Sequence, residues 1–346
     1  MSFARCNTSG PRGAILYNAL PRNRGRRGPI EPPMSTFHNA LLIYNPTSGR
    51  RRRQRLAEVE NARRILAADG LAVELAATPE RGGATQLAMQ AAAEKREMVI
   101  VCGGDGTINE VVNGLAGSQV AMGILPAGTA NILAKELGVP WDIALAARKI
   151  ARSGKRRIAL GAVLNAGAGG AVDTAQGARY FLCLGGAGPD AAIVHAVHTG
   201  LKDRTGILAY WAAGTQQLFR YDFPRIRIIS DEMEFDATLV VIGRTAHYGG
   251  PFKITTGASL FEDSFEIVAY GSSSRLEYVS ALPSLWAGRL RKVKGIVAWK
   301  TQQLTCASLS GSAIHAQVDG EPAGVLPLHF RIVPDALTLL VPGAGA

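Results

Sequence analysis

A chain of 346 residues is long for one domain and comfortable for two. Its 47% apolar content excludes a largely disordered protein, and no run of eighteen apolar residues is present to cross a membrane as a helix. The net charge of +11 calls for an anionic partner, and four cysteines with no CxxC spacing exclude a zinc ribbon or a disulfide scaffold.

Residues 1–33 carry six arginines against the single Glu31, which leaves +6 of the excess for the rest. This stretch is rich in Pro, Gly and Asn without periodicity, so a disordered basic tail is expected over 1–37. It lacks the apolar core of a signal peptide, and Met34 is an alternative start. The widely spaced thiols suit a reducing compartment, with the cytoplasm as the expected location.

From His38 strand and helix signals alternate. Ala40–Tyr44 reads as a buried strand running into an Asn-Pro turn, and Gln54–Ala68 as a helix stopped by Asp69-Gly70. Leu71–Ala77, Met98–Cys102 and Val120–Leu125 are further strands, with helices over Ala84–Ala93, from Thr107 to Leu115 and from Thr129 to Gly138. Thr107-Ile-Asn-Glu110 has the form of a capping box, which would start its helix there. This spacing predicts an α/β, three-layer nucleotide domain with a parallel sheet over 38–155.

After Arg156 the pattern shifts. Arg179–Leu184, Arg225–Ile229, Glu234–Ile242, Phe265–Ala269 and Ile314–Val318 read as strands, and only 191–199 and 206–219 as clear helices. A mostly antiparallel β domain is expected over 156–346, its last segment placed to pack back on the first domain. The cleft between the two is the expected active site.

Three glycine-marked turns each follow a predicted strand: Asn45 to Gly49, Gly103 to Thr107, and Gly128 to Asn131. In an open α/β sheet such turns share the carboxyl edge, where backbone N–H groups and helix N-termini attract phosphate. Asp105 sits inside the middle turn, and an acid there repels phosphate unless a divalent cation lies between. No Walker A sequence and no GxGxxG is present, which weakens P-loop ATPase and dinucleotide redox readings.

The order NPxSG, GGDGTxNEVVNGL, PxGTxN resembles the catalytic domain of the diacylglycerol kinase family, which includes bacterial lipid kinases, sphingosine kinases and ceramide kinases. Gly188 to Ala191, Tyr248 to Gly250, Leu260 to Phe265 and Val318 to Glu321 follow in the family's order. The resemblance implies an ATP-dependent lipid kinase. Gly103, Gly104, Asp105, Gly106, Thr107, Ile108 and Asn109 would hold the ATP phosphates, with the catalytic magnesium on Asp105. Gly128, Thr129 and Asn131, Asn45 and Ser48, and Thr78 after the second strand would complete the ATP site. Asp263 with the backbone oxygens of Leu260 and Phe265 resembles a structural magnesium site, and Glu321 matches the proton acceptor. The chain departs from the family at Ser264, where glycine is usual, at Gly82-Gly83-Ala84 in place of Gly-His-Ala, and at Ile242-Gly-Arg-Thr245, where an asparagine is common.

The expected partners are a membrane lipid substrate and an anionic membrane surface, bound peripherally. Trp286, Arg289, Arg291, Lys292, Lys294 and Trp299 form a basic, aromatic stretch suited to that surface, and Arg50–Arg53 with Arg55 could meet phosphates. The six histidines show no metal spacing. Two alternatives stand beside this reading. NAD kinases also use GGDGT, although NPxSG and GTxN argue against one; a nucleic-acid-binding role rests on the basic charge alone, so no nucleic acid is expected. The lipid and the oligomeric state are not legible.

Overall fold

A computed structural model of the chain describes residues 39–49, 51–166, 172–173, 177–200, 221–249 and 252–343. The expected tail over 1–37, the helix over 206–219, Arg50 and Gly250 lie outside the described residues.

The first half builds strands β1 (Asn39–Tyr44), β2 (Ala72–Ala77), β3 (Met98–Gly103) and β4 (Ala121–Pro126), paired in parallel in the order β2-β1-β3-β4. Every residue of β3 and β4 is buried, because helices cover both faces and the strands need no polar alternation. Helices α1 (Arg55–Ala68) and α5 (Ile143–Ile150) lie on one face, where Val59, Ala62, Leu66, Ala146 and Ala147 pack on Leu42, Ile100 and Leu125. Helices α2 (Gly83–Ala93) and α3 (Asp105–Leu115) cover the other, with Ala84, Ala88, Val111 and Leu115 on Ile43, Val99 and Val101. The short helix α4 (Ile132–Glu136) follows the third glycine turn, beginning at Ile132 rather than at Thr129.

Helix α3 also departs from expectation. Its N-cap is Gly104, three residues before the Thr107 of the proposed capping box, and no side chain caps it. Thr107 and Glu110 therefore lie within the helix. The Glu110 carboxylate instead accepts N–H bonds from Gly82 (2.9 Å) and Ala84 (3.1 Å), capping α2.

The second half holds two sheets. Strands β5 (Gly154–Ala166) and β19 (Leu328–Val341) form a long antiparallel pair, with β6 (Val172–Asp173) and β7 (Arg179–Phe181) beyond β5. Strands β9 (Ile226–Ser230), β10 (Glu234–Ala237) and β16 (Gln303–Ser308) extend the sheet on the other side of β19. The second sheet is antiparallel, in the order β15 (Ile296–Thr301), β14 (Phe265–Tyr270), β11 (Leu239–Gly243), β8 (Leu184–Ala187), β17 (His315–Val318), β18 (Glu321–Val325). The two sheets face each other as a sandwich filled by Phe181, Phe265, Phe330, Ile228, Val240, Ile267 and Leu304. A small ribbon of β12 (His247–Gly249) and β13 (Phe252–Lys253) and two helices, α6 (Pro189–Gly200) and α7 (Arg275–Trp286), are also present among the described residues.

The α/β half with an antiparallel β domain is thus the fold that the alternation of signals predicts. Two expected strands are broken: 179–184 divides at Leu182-Cys183, and 234–242 divides at the buried Thr238. Strand β19 does more than close the sandwich. Its last part lies parallel to β4, with Thr338 opposite Ala121 and Leu339 opposite Met122. One eleven-stranded sheet therefore runs through both halves. Among the described residues no helix is long and apolar enough to cross a membrane.

Candidate active site

The strand registers decide where the glycine turns meet. Tyr44 pairs with Cys102 and Gly103 with Pro126, so β1, β3 and β4 end level and release their turns side by side. At Gly128 an added Cβ would lie 2.5 Å from the Cα of Gly104, so the two glycine-turn backbones touch in a way that only glycine permits. Gly49 has φ +66°, and a Cβ there would lie 2.2 Å from the carbonyl oxygen of Ala127.

Polar side chains lock the turns together. Asn45 Nδ2 donates to Thr107 Oγ1 (3.2 Å), and Asn45 Oδ1 accepts from the Thr47 amide (2.9 Å). The Ser48 amide donates to the Asn45 carbonyl at 3.2 Å. Arg55 is buried rather than solvated; it donates to the carbonyls of Ser48 (3.1 Å) and Ala127 (3.3 Å) and pairs with Glu58. Arg51 to Arg53 are exposed. Thr78 is buried next to the first turn, its amide donating to Tyr44. Asn131 is wholly buried at φ +43°, and its amide group is spent on the backbone of Gly128, whereas Thr129 is exposed.

Asp105 opens α3, yet its carboxylate reaches the next turn. Oδ2 accepts from the Asn131 amide (2.9 Å) and Oδ1 from that of Ile132 (2.7 Å). Burial pushes its carboxyl up from the usual range, the two amides oppose this, and the nearby Asp319 carboxylate adds to the rise. Asp105 and Asp319 line one pocket with Ile108, Asn109, Ile132, Leu133, Leu182 and Cys183.

Asp319 is a pocket-lining position that sequence reasoning passed over in favour of Glu321. Asp319 (φ +48°) and Gly320 (φ +78°) form the two-residue turn of the β17–β18 hairpin, as Asp-Gly between strands suggests. The Asp319 carboxylate accepts amides from Leu182 (2.8 Å), Cys183 (2.9 Å) and Leu184 (2.9 Å), at the break between β7 and β8. It also accepts Asn109 Nδ2 from α3 at 2.8 Å, bolting the β domain to the phosphate-loop helix. Asn109 and Asn113 further donate to the Tyr180 carbonyl.

That bolt carries Glu321 into the cleft. Glu321 is the first residue of β18, and its Oε1 would lie 3.3 Å from a Cβ on Gly106. Its carboxylate pairs with Arg81, from the loop before α2. Arg179, whose Nη1 donates to the Pro322 carbonyl, adds a second cation nearby.

The donor set for a catalytic divalent ion fits the usual magnesium pattern. Magnesium on a nucleotide typically takes one or two carboxylates plus phosphate oxygens, and the Asp105 oxygens keep lone pairs beyond those given to the amides. The expected structural site does not fit. The Leu260 carbonyl accepts Arg244 Nη2 (2.9 Å) and the Glu262 carbonyl accepts Nη1 (3.2 Å). Asp263 is exposed, and Phe265 is buried within β14. Among the described residues no three His, Cys, Asp or Glu side chains converge on a point.

Comparison with known proteins places this geometry. The diacylglycerol kinase catalytic domain matches residues 39–163, and the YegS C-terminal NAD kinase beta sandwich-like domain matches residues 185–341. A diacylglycerol kinase of Bacillus subtilis (strain 168) is 30% identical over 306 residues, covering 84% of this chain and 92% of that protein. The chain belongs to the diacylglycerol kinase family. A second member, the diacylglycerol kinase of Staphylococcus aureus (strain bovine RF122 / ET3-1), is 29% identical over 300 residues, 84% of this chain and 88% of that one. A solved diacylglycerol kinase structure from Bacillus anthracis str. Sterne shares the fold with a TM-score of 0.64 at 20% identity, covering 89% of this chain and 98% of that one. Membership of this kinase family implies the use of ATP.

Proposed function

We propose that this kinase transfers the γ-phosphoryl of Mg·ATP to a hydroxyl of diacylglycerol or a related lipid, with Glu321 as the base that takes the alcohol proton. One observation carries the reading: Glu321, from the β domain, stands against Gly106 of the phosphate loop. A phosphoryl group on the loop and a hydroxyl near Glu321 would then meet in the cleft between the two halves. Phosphoryl transfer needs positioning and charge neutralisation more than covalent chemistry from the protein. A magnesium ion, when bound at Asp105, would neutralise the triphosphate. The turn backbones around Gly104 and Gly128 would cradle the phosphates, and Asp319 would hold Glu321 at its distance.

The test is incubation with labelled ATP and a panel of diacylglycerol, sphingoid base, ceramide, undecaprenol, phosphatidylglycerol and NAD, read by mass spectrometry of products. A phosphorylated lipid is expected. Phosphorylated NAD with every lipid unchanged would replace this reading with the NAD kinase one.

The acceptor lies in a membrane, so the reading includes peripheral docking on an anionic surface. Helix α7 supports it: Leu276 and Trp286 are 80% and 70% exposed, and Val279 and Leu282 share their side of the helix. Exposed Arg275, Arg289, Lys292 and Lys294 rim that stripe. Two residues of the expected basic, aromatic stretch drop out, since Arg291 pairs with the buried Glu266 and Trp299 is buried in β15. Changing Arg275, Arg289, Lys292 and Lys294 together to glutamine should weaken binding to phosphatidylglycerol vesicles roughly 10²–10³-fold at low salt, at about 1 kcal/mol per cation. Raised salt should mimic the variant. Unchanged vesicle sedimentation would move the docking face elsewhere.

A further inference from the structure

We infer that the buried guanidinium of Arg244 takes the place of the structural cation expected at Leu260, Asp263 and Phe265, so that this β domain holds its shape without a bound metal. A loop whose carbonyl oxygens converge needs positive charge at their focus, and here that charge is covalent. Arg244 follows β11 and has no exposed surface. Its Nη2 donates to the carbonyls of Ala159 (2.8 Å) and Leu260 (2.9 Å), its Nη1 to that of Glu262 (3.2 Å), and its own amide to Cys183 at 2.8 Å. The side chain thus ties the 259–264 loop to β5, and the backbone of the same residue ties both to the wall of the active-site pocket. The planar fork of N–H donors suits several carbonyls at once, as a lysine ammonium on its flexible stem would not.

The surroundings favour this ion over a metal. Burial lowers the Arg244 pKa to about 10, which leaves the group charged at neutral pH, and the Asp263 and Asp319 carboxylates act in the opposite sense. A divalent ion within about 4 Å of that buried charge would be repelled. Neither carboxylate of the loop turns inward to offset the repulsion: Glu262 pairs with Lys300, and Asp263 is exposed. The inference concerns the fold of the β domain and does not depend on which acceptor is phosphorylated.

The test uses the full, nucleotide-free protein. Its thermal midpoint should agree within about 1 °C in EDTA, in magnesium and in calcium, because binding stabilises only where a site exists. Metal analysis after gel filtration should find well under one equivalent. A midpoint several degrees lower in EDTA, or one tightly held equivalent of metal, would overturn the inference. Arg244→Met should lower the midpoint by roughly 5–10 °C, as expected for loss of a buried charged network, and Arg244→Lys by clearly less, because it keeps the charge. Equal losses in the two variants would show that packing, not charge, is what the position supplies. The EDTA and metal-content readings on the unaltered protein stand even if neither variant folds.

Discussion

Asp105→Asn should abolish phosphoryl transfer, lowering kcat by at least roughly 10³-fold, the upper range for losing a preorganised electrostatic group. It should also soften the turn before α4. Two separate losses combine. The carboxylate is the one acid within the phosphate loop, so neutralising it removes the charge that would face a nucleotide-bound cation. Both of its oxygens also accept backbone amides, from Asn131 and Ile132. An asparagine side chain offers one oxygen and one NH2, so one amide would confront another donor at a cost of about 1–3 kcal/mol. The structure therefore predicts a measurable drop in thermal midpoint alongside the lost activity, in a protein that still folds. Normal turnover by a folded Asp105→Asn protein would remove Asp105 from the nucleotide site.

Glu321→Gln should behave differently. A general base must reach the acceptor hydroxyl to within about 3 Å, from the side away from the triphosphate. In the proposed reading Glu321 takes this place, because it comes from the hairpin of the β domain and its Oε1 comes close to Gly106. Glutamine keeps the size and a hydrogen bond to Arg81 but cannot take a proton at neutral pH. We expect kcat to fall roughly 10²–10⁴-fold with the KM for ATP nearly unchanged. Full kcat across the pH range would reassign the base to water or to Asp105. A joint rise in the KM for ATP would instead mean that the Arg81 pair shapes the nucleotide site.

The parallel sheet was legible because each strand is a short apolar run followed within a few residues by its own glycine turn. The site was legible to the same depth: NPxSG, GGDGT and GTxN are local patterns, and the registers of β1, β3 and β4 bring them together. What escaped has distant partners. Asp319 binds amides about the Leu182-Cys183 break, up to 137 residues away; Arg244 binds Ala159, 85 residues away; Arg55 binds Ala127, 72 residues away. No spacing rule connects such pairs, and each residue taken alone reads as a turn acid or a solvated cation. Strand β19 escaped because Pro334 and Asp335 interrupt its text where the chain bends, with Asp335 at φ +49°. Helix α7 escaped because its large apolar residues face outward and Pro283 lies inside it. The resemblance supplied a structural metal that local motifs could not test, and the buried guanidinium shows that the Leu260 carbonyl among its expected ligands already has a donor.

The pairing of β19 with β4 gives the order of residues a consequence for biosynthesis. Ribosomes deliver a chain from its N-terminus, and the first half holds nearly everything a Rossmann-like layer needs to condense early. Its β4 edge, however, stays open until Thr338 and Leu339 emerge, more than two hundred residues after β4 itself. Through that interval the nascent protein carries an apolar strand with unpaired backbone groups, a surface on which other chains can add. A chain cut before Thr338 would leave that edge permanently uncovered. The last part of β19 thus acts as a quality seal on a fold whose Gly103–Thr107 turn was finished more than two hundred residues earlier.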